Sequence, residues 1–65
     1  MKFEVGEQVK LLPTPYTLIL EVDRKIGIIK KLLLDEDPPQ LLVEVDGHGL
    51  YFFLTEEVQR VKKNN

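Results

Sequence analysis

Side chains capable of covalent or acid–base chemistry are scarce in this sequence. Its 65 residues include no cysteine and one histidine, and serine is absent as well. Hydroxyl nucleophiles are limited to three threonines and two tyrosines: Thr14, Thr17, Thr55, Tyr16 and Tyr51. A hydroxyl needs an adjacent base for activation, and no threonine has one at a recognisable spacing. The sequence therefore predicts a protein that is not an enzyme.

Metal and cofactor sites are not indicated either. With one histidine, His48, and no cysteine, a transition-metal site within one chain would need carboxylates to supply most of its ligands. The acidic run Asp35–Asp37 is followed by Pro38 and Pro39, which truncate the loop that Ca²⁺ would need for its six to eight oxygens. We expect a solvated acidic loop, a solvated His48 in the turn Asp46–Gly49, and no metal or cofactor.

The elements that position these residues are predicted from apolar periodicity. Apolar residues alternate with polar ones over Lys2–Leu12, which predicts a half-buried strand with a turn or bulge at Gly6. Alternation resumes over Tyr16–Asp23, after the proline-rich Pro13–Pro15. This second segment predicts a short strand or extended arm, with Leu18 and Leu20 facing the core and Ile19 facing outward.

The remaining chain indicates four further strands, a hairpin turn and a 3₁₀ turn. Ile26–Leu34 is apolar at both parities, as in a strand that is covered on both sides or strongly bent, and Gly27 should lie close to another backbone or have a positive φ. A helix there is disfavoured by Gly27 and by the acidic run that follows. The other predicted elements are a strand over Gln40–Asp46, a hairpin turn at Asp46-Gly47, a strand over Leu50–Leu54, a 3₁₀ turn over Thr55–Glu57 and a last strand over Val58–Val61.

These elements predict an all-β fold, a small five-stranded barrel with one short 3₁₀ turn before the last strand. Closure is expected because an open sheet of this size would leave exposed edges. One domain is predicted over residues 1–61, followed by a polar C-terminal tail over 62–65. No apolar run approaches the ~20 residues of a membrane span, and a cytoplasmic location is the expectation.

Several segments resemble SH3-like barrels. Phe3–Val9 resembles the opening of the first strand, Lys25–Lys30 is similar to the second strand of KOW-type and electron-transport-accessory barrels, and Leu41–Val45 resembles their third. Phe53–Val58 looks like their closing segment. The resemblance implies an SH3-like fold and a role as an accessory subunit or binding module without chemistry. The sequence departs from KOW-type modules in having few basic residues.

An excess of apolar residues indicates an interaction surface. Apolar residues make up 43% of the chain, more than five short strands bury inside a barrel. Left over are Ile19, Leu42, one parity of Ile26–Leu34, and either the Tyr51/Phe53 pair or the set Leu50, Phe52 and Leu54. The partner-binding residues are predicted as Ile19, Leu42 and Tyr51, and the partner as another protein or a second copy of the chain. The predicted function is a non-catalytic accessory or protein–protein interaction module.

The alternative is a KOW-type module that binds nucleic acid or a ribonucleoprotein. Its basic residues would be Arg24, Lys30, Lys31 and Arg60, with Tyr51 or Phe52 as a stacking platform for bases. The formal net charge of −2 makes a broad electrostatic footprint for nucleic acid a weaker expectation.

Overall fold

Five antiparallel strands form one sheet in the structure, a computed structural model that describes residues 3–61. The elements in chain order are β1 (Gln8–Leu11), α1 (Pro15–Leu20), β2 (Ile26–Leu33), β3 (Gln40–Val45), β4 (Gly49–Leu54), a 3₁₀ turn (Thr55–Glu57) and β5 (Val58–Arg60). The strand order is β4-β3-β2-β1-β5. The predicted five strands and the 3₁₀ turn before the last one are confirmed. The predicted tail at 62–65 lies outside the described residues.

Closure of the sheet into a barrel is not seen in the hydrogen-bonding pattern. Among residues 3–61, β4 and β5 are the edge strands, and no ladder joins them. The helix α1 is short, and within the same residues no helix has the length and apolarity to cross a bilayer.

The core lies on one face of the sheet. Alternate residues of each strand point into it, as the pleat of a strand requires. Leu32 and Tyr51 pack against this core from its margin. The buried core residues are Phe3, Val9, Leu11, Val22, Ile29, Leu41, Val43, Val45, Phe53 and Val58.

An irregularity within β2 explains its unusual pattern. The register against β3 shifts between Ile29 and Lys31. Ile29 is buried before the shift, and Leu32 packs against the core after it. One extra residue in a strand exchanges the parity that faces inward. Odd-numbered residues therefore face the core before the shift and even-numbered residues face it after the shift, which explains why both sets include apolar residues.

Gly27 is required by a close approach and not by a positive φ. It is buried in β2, opposite Val45. A Cβ at this position would overlap Cγ1 of Val43 and lie 3.0 Å from the carbonyl oxygen of Glu44. The strands β2 and β3 can pack at this point only because the side chain is absent.

The segment predicted as a strand over Tyr16–Asp23 is instead the helix α1. Thr14 is its N-cap, and the Thr14 hydroxyl accepts a hydrogen bond from the Thr17 amide at 3.2 Å. The Thr17 hydroxyl accepts from the Thr14 amide at 2.8 Å and donates to the Leu12 carbonyl at 2.7 Å. Pro15 occupies the first turn, where a missing amide proton costs nothing. Local capping therefore outweighs the alternating pattern.

Helical geometry also changes which side chains of this segment are buried. Thr17 and Val22 are fully buried, and Leu20 packs against the core. Leu18 is 53% exposed and Ile19 is 79% exposed. The expectation that Leu18 faces the core was wrong, because residues three apart share a face in a helix and residues two apart do not.

Candidate protein-interaction surface

The register between β3 and β4 places four apolar side chains on the outer side of the sheet. Leu42 lies opposite Phe52, and the flanking pairs join Glu44 to Leu50 and Gln40 to Leu54. Directly opposed residues of antiparallel strands share a face. Their sequence neighbours Val43 and Phe53 are in the core, so these residues point away from it. We call Leu42, Leu50, Phe52 and Leu54 the β3–β4 apolar face.

The β3–β4 apolar face is accessible. Phe52 is 50% exposed and Leu50 is 56% exposed, and Leu42 and Leu54 are half-buried. The Leu42–Phe52 pair lies at the centre, with a leucine on each side of Phe52 along β4. An aromatic side chain held at the centre of an apolar patch is the usual arrangement of an interaction hot spot.

Charged side chains border this face on its β2 side. Lys31 lies opposite Leu42, and the Lys30 ammonium is 3.3 Å from the Glu44 carboxylate. Apolar side chains continue beyond them, since Ile28 lies opposite Glu44 and Leu33 lies opposite Gln40. The face therefore has an apolar centre and a mixed border, as binding surfaces of proteins do.

The structure does not bring the three predicted partner-binding residues together. Leu42 belongs to the β3–β4 apolar face. Tyr51 is on the opposite side of the sheet, where its ring meets Phe53 edge-on with centroids 6.4 Å apart. Ile19 belongs to α1, which packs on that same inner side through Tyr16, whose ring centroid is 5.5 Å from that of Phe53.

Leu50 and Phe52 are the functional candidates that the sequence did not separate from Tyr51 and Phe53. The structure resolves that choice through the hairpin. The backbone amide of His48 donates to the Val45 carbonyl at 2.8 Å. Val45 then pairs with Gly49, which places Tyr51 opposite the buried Val43. The odd residues of β4 therefore face inward.

The four basic residues of the nucleic-acid alternative are dispersed. Arg24 lies in the turn before β2, with a φ of 66°. Lys30 on β2 is paired with Glu44, and Arg60 on the edge strand β5 forms an ion pair with Glu7. Carboxylates thus neutralise two of the four cations.

Within residues 3–61, the threonine hydroxyls and the His48 ring, which could in principle take part in chemistry, make local hydrogen bonds. The hydroxyls of Thr14 and Thr17 cap α1, and the Nδ1 of the exposed His48 is 3.1 Å from the Asp46 carbonyl oxygen. Burial raises the pKa of Tyr16, and the nearby Glu57 and Tyr51 raise it further. No group of three or more acidic or histidine side chains is placed to hold a metal ion in this part of the chain.

Comparisons with known proteins leave this surface as the main guide to function. The sequence matches no protein-family model, and neither curated proteins nor solved structures show a significant similarity to it.

Proposed function

We propose that the domain is a non-catalytic protein-interaction module that binds an apolar segment of a partner protein through the β3–β4 apolar face. The observation that carries this proposal is the cross-strand pair Leu42–Phe52, which points away from the core between Leu50 and Leu54. A stable sheet does not need apolar side chains on its solvent side. Their concentration on two adjacent strands favours a surface that is covered in the functional state.

The fold we propose for this module is an SH3-like barrel. Its support is the antiparallel order β4-β3-β2-β1-β5 together with the 3₁₀ turn between β4 and β5, as the resemblance of the sequence implies. A cytoplasmic accessory role agrees with this proposal.

The KOW-type alternative has weaker support. A nucleic-acid surface needs uncompensated cations that follow the phosphate backbone. Lys30 and Arg60 instead have carboxylate partners. The exposed aromatic Phe52 could stack on a base, but its neighbours on the sheet are the aliphatic Leu42, Leu50 and Leu54.

The test is affinity capture with the immobilised full chain, from lysate with and without nuclease. We compare the wild type with Phe52→Lys and with Ile19→Lys, which places the same charge at a more exposed position on α1. We expect the partner to be lost with Phe52→Lys and retained with Ile19→Lys and after nuclease. Equal capture by both variants, or capture that nuclease abolishes, would refute the proposal.

A further inference from the structure

Hydrogen bonds on β2 establish which peptide groups face each neighbouring strand. The Ile29 amide donates to the Glu7 carbonyl at 3.0 Å, and the Ile29 carbonyl accepts from the Gly6 amide at 2.7 Å. Both groups of Ile29 therefore face the β1 side. Peptide groups alternate in direction along a strand, so those of Ile28 face β3, where Glu44 lies opposite.

The same alternation continues across the sheet to the free edge of β4. Because the amide and carbonyl of Glu44 face β2, those of Val43 and Val45 face β4, where Tyr51 and Gly49 lie opposite them. The peptide groups of Leu50 and Phe52 then point away from β3, toward the side where β4 has no strand neighbour among the described residues.

The two ends of this edge differ. The Leu54 amide is directed away from β3 and donates to Oε1 of Glu57 at 2.9 Å. Leu54 is therefore capped by its own chain. The stretch left open for pairing runs over Leu50–Phe52, and two of its side chains, Leu50 and Phe52, belong to the β3–β4 apolar face.

The open edge lacks the devices that normally prevent strand addition. Gly49–Leu54 contains no charged residue and no proline, and its register with β3 is continuous, without a bulge. A strand that fits it must be extended, apolar and uncharged. The strand β4 meets all of these requirements itself, and two copies related by a two-fold axis would present identical, self-complementary edges without bringing like charges together.

We propose that a second copy of this chain pairs with the free edge of β4 in antiparallel orientation, with Tyr51 opposite Tyr51 of the partner subunit and Leu50 opposite Phe52 of the partner subunit. This inference rests on the proposed function, since it names the partner of the same surface. Opposed residues must share a face, which limits the register to shifts of two residues. Centring the axis on Phe52 instead would require the Leu54 amide, which Glu57 already occupies.

The proposed pairing forms two reciprocal Leu50–Phe52 pairs and joins the apolar faces of both copies. Leu50 and Phe52, each at least half exposed in one copy, then lie against each other across the axis. One added strand pair buries less than the ~1,000 Å² of a stable complex, so the dimer is weak, with a dissociation constant on the order of 10 µM.

Sedimentation velocity of the full chain at roughly 5–500 µM tests the association against that expected constant. We expect the wild type to shift from monomer to dimer over this range. Phe52→Lys should remain monomeric, and Ile26→Lys, on the outer face but away from the edge, should dimerise as the wild type does. A wild-type monomer at all concentrations, or equal association of Phe52→Lys, overturns the proposal.

Amide hydrogen exchange of the unmodified chain provides a second test. We expect the amides of Leu50 and Phe52 to become protected as concentration rises, whereas those of Tyr51 and Phe53, bonded to β3, are protected throughout. Protection of Leu50 and Phe52 that is independent of concentration overturns the proposal.

A cysteine substitution tests the register, because the chain contains no other cysteine. Non-hydrogen-bonded antiparallel pairs have Cα atoms ~4.5 Å apart, within the range of a disulfide. Tyr51→Cys should therefore cross-link two copies under mild oxidation faster than Phe52→Cys, and the reverse order overturns the register. A chain that stays monomeric but captures another protein through Phe52 refutes the dimer and leaves the proposed function standing. Loss of both refutes both.

Discussion

Replacement of Gly27 by alanine is the most direct test of how β2 and β3 pack. The added Cβ overlaps Cγ1 of the fully buried Val43 and approaches the Glu44 carbonyl oxygen to 3.0 Å. Val43 is β-branched and has few alternative rotamers, so relief requires the strands to separate. Overpacking of this kind costs about 1–3 kcal/mol. A domain of 65 residues has roughly 3–10 kcal/mol in total.

Urea denaturation followed by circular dichroism measures this effect. With a slope of about 1 kcal/mol/M for so small a protein, Gly27→Ala should lower the unfolding midpoint by roughly 1–3 M. Gly27→Val should leave no folded protein at 25 °C. A midpoint within about 0.5 M of the wild type would refute the close approach.

A double-mutant cycle identifies the clashing atom. Val43→Ala alone removes buried methyl groups and costs roughly 2 kcal/mol. Combined with Gly27→Ala it should cost at least ~1 kcal/mol less than the sum, because the overlapping Cγ1 is gone. Gly47→Ala is the matched control. It has a φ of 78° and no atom within 4 Å of its added Cβ, so its cost should be additive with that of Val43→Ala.

Three further predictions concern α1 and its cap. Thr17→Val leaves the Thr14 amide and the Leu12 carbonyl without their partner, and the free energy of unfolding should fall by about 1–3 kcal/mol in urea titrations; a loss below ~0.5 kcal/mol contradicts the buried cap. The raised pKa of Tyr16 means that the folded state holds this proton more tightly than the unfolded state. Stability should therefore decline as pH rises above the unfolded value of 10.0, more steeply in the wild type than in Tyr16→Phe; parallel pH profiles would contradict this. The free energy of unfolding of Ile19→Asp should lie within about 0.5 kcal/mol of the wild-type value, since the Ile19 side chain is 79% exposed; a larger loss would show that this side chain has a packing role.

Which alternate residues of β4 face the core depends on the length of the hairpin loop, and a difference of one residue reverses the result. Leu50–Leu54 is apolar at every position, so its own pattern does not select a face. A two-residue turn at Asp46-Gly47 would have paired Val45 with His48 and buried the even residues. The observed pairing of Val45 with Gly49 buries the odd ones. A slip of one residue exchanges the faces of a strand. Leu42 was identified from sequence because the alternation in β3 is unambiguous, and its role in binding stays a prediction.

The error over Tyr16–Asp23 has a different origin. The alternation of Tyr16, Leu18 and Leu20 spans too few residues to distinguish a strand from a helix. The sequence did contain a helix start, a threonine followed by proline at the first helical position. The burial of Thr17 could not be predicted from the polarity of its side chain. Its hydroxyl is buried because it bonds the Leu12 and Thr14 carbonyls, which only the folded loop brings close to it.

Glu57 joins segments that are far apart in the chain. Its carboxylate accepts from the Leu54 amide at 2.9 Å and from the Thr14 hydroxyl at 3.3 Å, and its carbonyl accepts from the Leu12 amide at 2.9 Å. The carboxylate thus ties the cap of α1 to the last residue of β4. We expect this position to accept few substitutions, because aspartate is one methylene too short to span both contacts and glutamine retains only one of the two acceptor oxygens that bond the Leu54 amide and the Thr14 hydroxyl.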